Sequence, residues 1–156
     1  MIDLQEIEAI KRLKYKYMRC LDQKLWDQMA ECFVDDATAA YSGGKYTFQG
    51  KKAILDFFNA SMSRASVLSS HRVHHPEIDL TSPTTATGTW ALEDVFIDED
   101  AGVTIRGAAF YVDEYVKQDG KWKIKHTGYR RTYEEMEIRK DNPRLKMTQR
   151  WSDTAS

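Results

Sequence analysis

What most constrains this chain is an abrupt change of rhythm after Ser70. Before it, apolar residues recur at spacings of three and four, which only a helix gathers on one side. From His71 onward the sequence is rich in Val, Ile, Thr, Tyr, Phe and Trp. It is broken at intervals by Pro76, Thr81-Ser82-Pro83, Asp98-Glu99-Asp100-Ala101-Gly102 and Gln118-Asp119-Gly120, the marks of strands joined by turns. Helices at one end and strands at the other segregate instead of alternating. The expected class is therefore α+β: a strongly curved antiparallel sheet of about four long strands wrapped around a layer of three N-terminal helices.

Within the helical part, Leu4, Ile7, Ile10, Leu13, Tyr17, Cys20 and Leu21 form one stripe from Asp3 to Gln23. Asp3 is placed to cap it, accepting from the amide of Glu6 while Glu6 reaches back. Leu25, Met29, Cys32 and Phe33 predict a second short helix over 25–33. Extended pieces at 37–41 and 46–48 flank a Gly43-Gly44 turn. Gly50 then opens a third helix carrying Ile54, Leu55, Phe57, Phe58 and Met62.

A length of 156 residues with 42% hydrophobic and 12% aromatic content suits one folded domain. We expect it over 1–136, followed by a basic extension over 137–156 that is loose or laid across a neighbouring subunit. With 23 Lys and Arg against 24 Asp and Glu, no net field attracts nucleic acid. No apolar run is long enough to span a bilayer, and the acidic start is unlike a signal peptide. Cys20 and Cys32 do not make a disulfide framework, so a cytoplasmic protein is expected.

The informative residues are ionisable groups that share a face with apolar ones, because burying them is costly unless they are paired or working. Asp94 falls between Leu92 and Phe96 on the even face of a strand over 86–96. Tyr17 continues the stripe of the first helix and Asp22 closes that helix, about 140° around the wheel from Tyr17. His71, His74 and His75 cluster, but alternation turns His74 away from the other two, and no metal site is expected. In the last strand Trp122, Ile124 and His126 alternate with lysines and are expected to face inward. Gly128 invites a bulge that leaves open which of Arg130 and Arg131 points in.

Taken together, Tyr17-x4-Asp22, Trp26, Gly50-Lys51-Lys52-Ala53-Ile54, His71-x5-Glu77-Ile78 and Gly120-Lys121-Trp122-Lys123-Ile124 resemble the SnoaL-like branch of the nuclear-transport-factor-2-like superfamily. The resemblance covers about residues 4–135. It implies a cystatin-like α+β cone with an apolar cavity between helices and sheet, and a homodimer or homotrimer formed through the sheet's outer face. In the branch that holds bile acid 7α-dehydratase, scytalone dehydratase and lindane dehydrochlorinase, an Asp closing the first helix partners a His from the first long strand. Asp22 and His71, forty-nine residues apart, hold those places here. The same likeness makes Tyr17 a hydrogen-bonding phenol, Asp94 a second acid and Arg131, or else Arg130, the arginine.

The implied activity is a dehydratase or isomerase that needs no cofactor and acts on a small hydrophobic ring compound such as a steroid, polyketide or aromatic catabolite. His71 would take a proton and Asp22 would fix its tautomer. Asp94 would serve as a neutral general acid. Trp26, Phe58, Met62, Phe110 and Tyr111 are the expected walls. The alternatives are a ligand-binding or oligomerisation module of the same fold, or an accessory protein in aromatic ring hydroxylation.

Overall fold

A computed structural model describes residues 3–153. Helix α1 (Leu4–Gln23) starts where Asp3 accepts from the amides of Gln5 and Glu6 at 3.0 and 3.2 Å. Glu6 does not turn back to Asp3. Its carboxylate instead accepts from Lys117 Nζ at 2.6 Å and from Trp122 Nε1, tying the start of α1 to the sheet. α2 (Trp26–Ala30) is shorter than expected because Phe33 already begins strand β1 (Phe33–Tyr41). β2 (Tyr46–Gln49) pairs back on β1, and α3 (Lys51–Met62) follows.

Four long strands come next: β3 (Val67–Ser82), β4 (Thr85–Asp98), β5 (Val103–Gln118) and β6 (Lys121–Ile138). They pair as an antiparallel meander, and β6 then lies parallel to β1, giving one mixed sheet in the order β2-β1-β6-β5-β4-β3. This is the α+β cone expected. The sheet is not closed, since β2 and β3 are free edges.

The helices fill the concave side. Ile10, Tyr17 and Leu21 of α1 and Ile54 and Phe58 of α3 are buried in one core with Trp90, Leu92, Tyr111 and Ile124 of the sheet. Cys20 and Cys32 are buried and unbonded to each other. Beyond β6, Arg139 donates to Thr104 at 2.8 Å, and Arg150 forks onto Glu99 at 2.6 and 2.7 Å. These contacts draw the basic segment back over the β4–β5 turn of its own chain. Among the described residues no helix is long and apolar enough to cross a membrane.

Candidate active site

Between α1, α3 and the sheet lies a cavity of about 380 Å³. Tyr17 and Leu21 come from α1, Phe57, Phe58 and Met62 from α3, and Tyr41 from β1. The sheet adds His71, Asp94, Phe96, Tyr111, Tyr129 and Arg131. Its wall is therefore aromatic, with the polar groups confined to a few points.

The junction of α1 and β3 builds the first of these points. Lys24 ends the helix in the left-handed region (φ 59°), and its Nζ donates to the Val67 carbonyl at 2.6 Å, fastening the helix end to the start of β3. That contact brings Asp22 to His71. One carboxylate oxygen accepts from the His71 amide at 2.8 Å. The other meets His71 Nδ1 at 2.7 Å and accepts from Ser69 Oγ at 2.8 Å. Burial alone would raise the Asp22 pKa, but the bonds to His71 and Ser69 outweigh it and hold the carboxyl below its ordinary 3.8. With Nδ1 committed as donor, Nε2 is the ring nitrogen left with an unshared pair.

A second point is a pair of phenols. The hydroxyls of Tyr17 and Tyr41 lie 3.0 Å apart, both buried. Burial pushes Tyr17, Tyr41 and the neighbouring Tyr111 upward, so all three stay protonated. Tyr17 is hydrogen-bonded to Tyr41 and also to Tyr111, so three hydroxyls joined by two bonds use two of their three protons, which leaves one for a ligand.

The third point is an ion pair. Arg131 forks onto both oxygens of Asp94, with Nη2 to Oδ2 at 3.0 Å and Nη1 to Oδ1, and its Nε lies 3.1 Å from Glu134. Asp94 is on the inner face between Leu92 and Phe96, as its parity predicts. It is not an isolated acid in an apolar pocket, however, because Arg131 occupies both of its oxygens as acceptors. Arg131 is raised: burial pulls it down, and the bonds and charge of Asp94 more than restore it.

A model of the SnoaL-like domain matches residues 3–128. The chain belongs to the SnoaL-like family. Three solved structures are similar to this SnoaL-like protein. One from Novosphingobium aromaticivorans, provisionally named a scytalone dehydratase, is 25% identical with a TM-score of 0.76, over 85% of this chain and 87% of its own. A type 2 hexachlorocyclohexane dehydrochlorinase is 22% identical with a TM-score of 0.78, over 86% and 90%. A third, also from N. aromaticivorans and provisionally named an aromatic ring hydroxylase, is 20% identical with a TM-score of 0.77, over 91% and 99%. The last two likenesses are of fold.

Several site residues of the SnoaL-like chain sit elsewhere than the sequence implies. Phe58, Met62 and Tyr111 do line the cavity. Phe110 does not: it points out from the opposite face of β5 and is 52% exposed. Trp26 stacks behind Phe58, ring centroids 6.1 Å apart, and donates to Ser63, so it supports the wall without forming it. His75 (φ 28°) sits in a bulge of β3 that turns its ring against His74 instead of toward His71's side.

In β6 the irregularity falls at Lys125, not Gly128: Ile124 pairs with Tyr115 and His126 with Glu114. This shifts the parity. His126 faces outward to bond Thr38 at 2.6 Å, while Thr127, Tyr129 and Arg131 face in. Arg130 is exposed on the outer face. A further bulge at Thr132 returns Glu134 to the cavity rim.

Unforeseen were Tyr41, Phe57 and Tyr129, and a fully buried pair behind the cavity, Lys14 and Asp113. Both carried a sequence signal. Lys14 is four residues after Ile10 and three before Tyr17 on the helix stripe, and Asp113 falls between Tyr111 and Tyr115 on one strand face.

Proposed function

We propose that this SnoaL-like protein is a lyase or isomerase for a small hydrophobic ring compound, with His71 as its base. The observation that carries the reading is the 2.7 Å contact of His71 Nδ1 with Asp22 on the wall of an aromatic cavity. A neutral imidazole takes a proton near pH 7, and the carboxylate on its far nitrogen stabilises the imidazolium that results. His71 Nε2 removes a proton from carbon, and the free hydroxyl proton of the Tyr17, Tyr41 and Tyr111 cluster meets the substrate oxygen on which charge collects. In a dehydration the proton on His71 passes to the leaving hydroxyl, which departs as water as the double bond forms. In an isomerisation it returns to another carbon. Arg131, held in place by Asp94, faces the leaving or developing oxygen. The volume lies toward the low end of the roughly 300–1,000 Å³ of small-molecule sites, which favours an aromatic or polyketide ring over a steroid.

The test is a panel of ring compounds carrying a hydroxyl or halide β to an acidic C–H, followed by the absorbance of the new double bond. Turnover that falls about 100-fold or more in His71→Ala supports the reading. Equal rates in both proteins sink it.

A separate observation favours self-association as a homodimer or homotrimer. Phe110, Val112 and Tyr133 stand exposed on the outer face of β5 and β6, a grouping that a solitary soluble chain rarely leaves open. Light scattering should return the mass of two or three chains, and Phe110→Lys should lower it. A monomer at every concentration contradicts this.

A further inference from the structure

Behind the cavity, away from any solvent, α1 and β5 bring together two opposite charges. Lys14 Nζ lies 2.7 Å from Asp113 Oδ2, and both side chains are 0% exposed. The carboxylate is fully engaged: Oδ2 also accepts from Tyr115 OH at 2.7 Å, and Oδ1 accepts from Thr127 OH at 2.7 Å. Tyr115 OH in turn accepts from Trp90 Nε1 at 2.9 Å. Taking two charges out of water is costly, and an apolar pair of similar size commonly serves stability as well. Stability alone is therefore a weak reason for charges at this place.

The orientation of the pair offers another. An ammonium has three donors. One goes to Asp113, and a second, longer contact of 3.4 Å reaches Thr127. The remaining side of Nζ faces the Tyr111 ring, 3.5 Å from its centroid, with the Tyr17 ring at 4.7 Å. Both rings form the cavity wall and meet edge to face. Of the two charges it is the positive one that touches the back of the wall, while Asp113 acts on the same phenols in the opposite sense. A phenol that donates to an oxygen gaining charge takes up part of that charge. A cation against its ring stabilises it, the more so where water is excluded.

We propose that Lys14 and Asp113 are positioning residues: an oriented charge pair that strengthens the Tyr17–Tyr111 end of this phenol cluster as the hydrogen-bond donor to an oxygen turning negative in the cavity. This rests on the lyase or isomerase reading for its purpose but not for its test, since neither measurement below follows turnover. The substrate class it specifies has a carbonyl or hydroxyl oxygen that becomes enolate- or phenolate-like, placed at the Tyr17–Tyr111 end of the cavity and opposite the carbon facing His71.

Two measurements decide it. In the unaltered protein, ¹⁵N NMR of labelled lysine should show one ammonium, assigned by its loss in Lys14→Met, still charged at neutral pH, with its protons shifted upfield by the Tyr111 ring. A neutral amine, or an ammonium without the ring shift, overturns the proposal. With 3,5-difluorotyrosine at position 111, the acid constant of that phenol should fall about tenfold or more when Lys14→Met and Asp113→Leu are made together. An unchanged or increased acid constant overturns it equally. If the double variant does not fold, Lys14→Arg, which keeps the cation, replaces it and should hold the acid constant within about threefold, with a tenfold fall counting against the proposal.

Discussion

His71 is bound to Asp22 twice, through its backbone amide at 2.8 Å and its ring Nδ1 at 2.7 Å, so one carboxylate fixes both the strand and the imidazole. Asp22→Asn keeps the shape but offers an amide where a charge stood. Turnover in the panel above should drop by roughly 10²–10⁴-fold with the fold intact by circular dichroism. Activity within threefold of the parent would remove Asp22 from the mechanism.

The same contact makes an acid-stability prediction. The Asp22 carboxyl is held below its ordinary 3.8, so its contribution to folding is whole above that value and disappears as pH falls through the lower folded value. Between about pH 5 and pH 2 the Tm of the parent should fall further than that of Asp22→Asn. Parallel curves would show that the bond contributes nothing to stability.

Tyr17→Phe removes one member of the buried hydroxyl pair and leaves Tyr41 without its 3.0 Å partner. Urea unfolding should register a loss of about 1–2 kcal/mol. The expected kinetic signature is a fall in kcat larger than any rise in KM, as befits a bond that strengthens in the transition state. A pure KM effect would make Tyr17 a wall residue only.

Arg131 and Asp94 lend themselves to a double-mutant cycle. Arg131→Leu strands a carboxylate that is only 6% exposed and should cost about 3–5 kcal/mol, while adding Asp94→Leu should recover a large part of it. Additive losses would mean that the two side chains do not depend on each other.

At the seam between β1 and β6, Gly128 lies opposite Ala40, and a Cβ there would stand 2.6 Å from the Ala40 carbonyl oxygen. Gly128→Ala should destabilise the fold by about 2–3 kcal/mol through backbone displacement. An unchanged Tm would mean that the two strands can part without penalty.

Those residues were most legible whose position follows from a count. Asp22 closes a helix of readable length and His71 opens a run of strand residues, so each could be placed on its element, while their pairing came from the likeness to the SnoaL-like branch; the parity of Leu92, Asp94 and Phe96 holds because β4 carries no bulge within that stretch. Arg131 was not decidable, because a single extra residue at Lys125 reverses which side chains of β6 face in, and nothing in the residue types marks it. Phe110 misled for the opposite reason: an aromatic in a strand reads as core, whereas here it faces outward beside Val112. Lys14 had its place on the stripe, but a lysine is taken for surface until its partner is known, and Asp113 is ninety-nine residues away.

The parallel seam of β1 and β6 also governs when the cavity comes into being. Tyr41 and Tyr129 face each other across it, ring centroids 5.7 Å apart, yet one is made early in synthesis and the other after nearly all of the sheet. Until the last strand docks, Tyr41 has no Tyr129 to face, and the pairing that supplies it spans most of the chain, the kind of closure that forms slowly. A nascent chain emerging from the ribosome should therefore keep Tyr41 uncovered for most of its elongation, and its yield in a cell should fall when holdase chaperones that cover such surfaces are depleted.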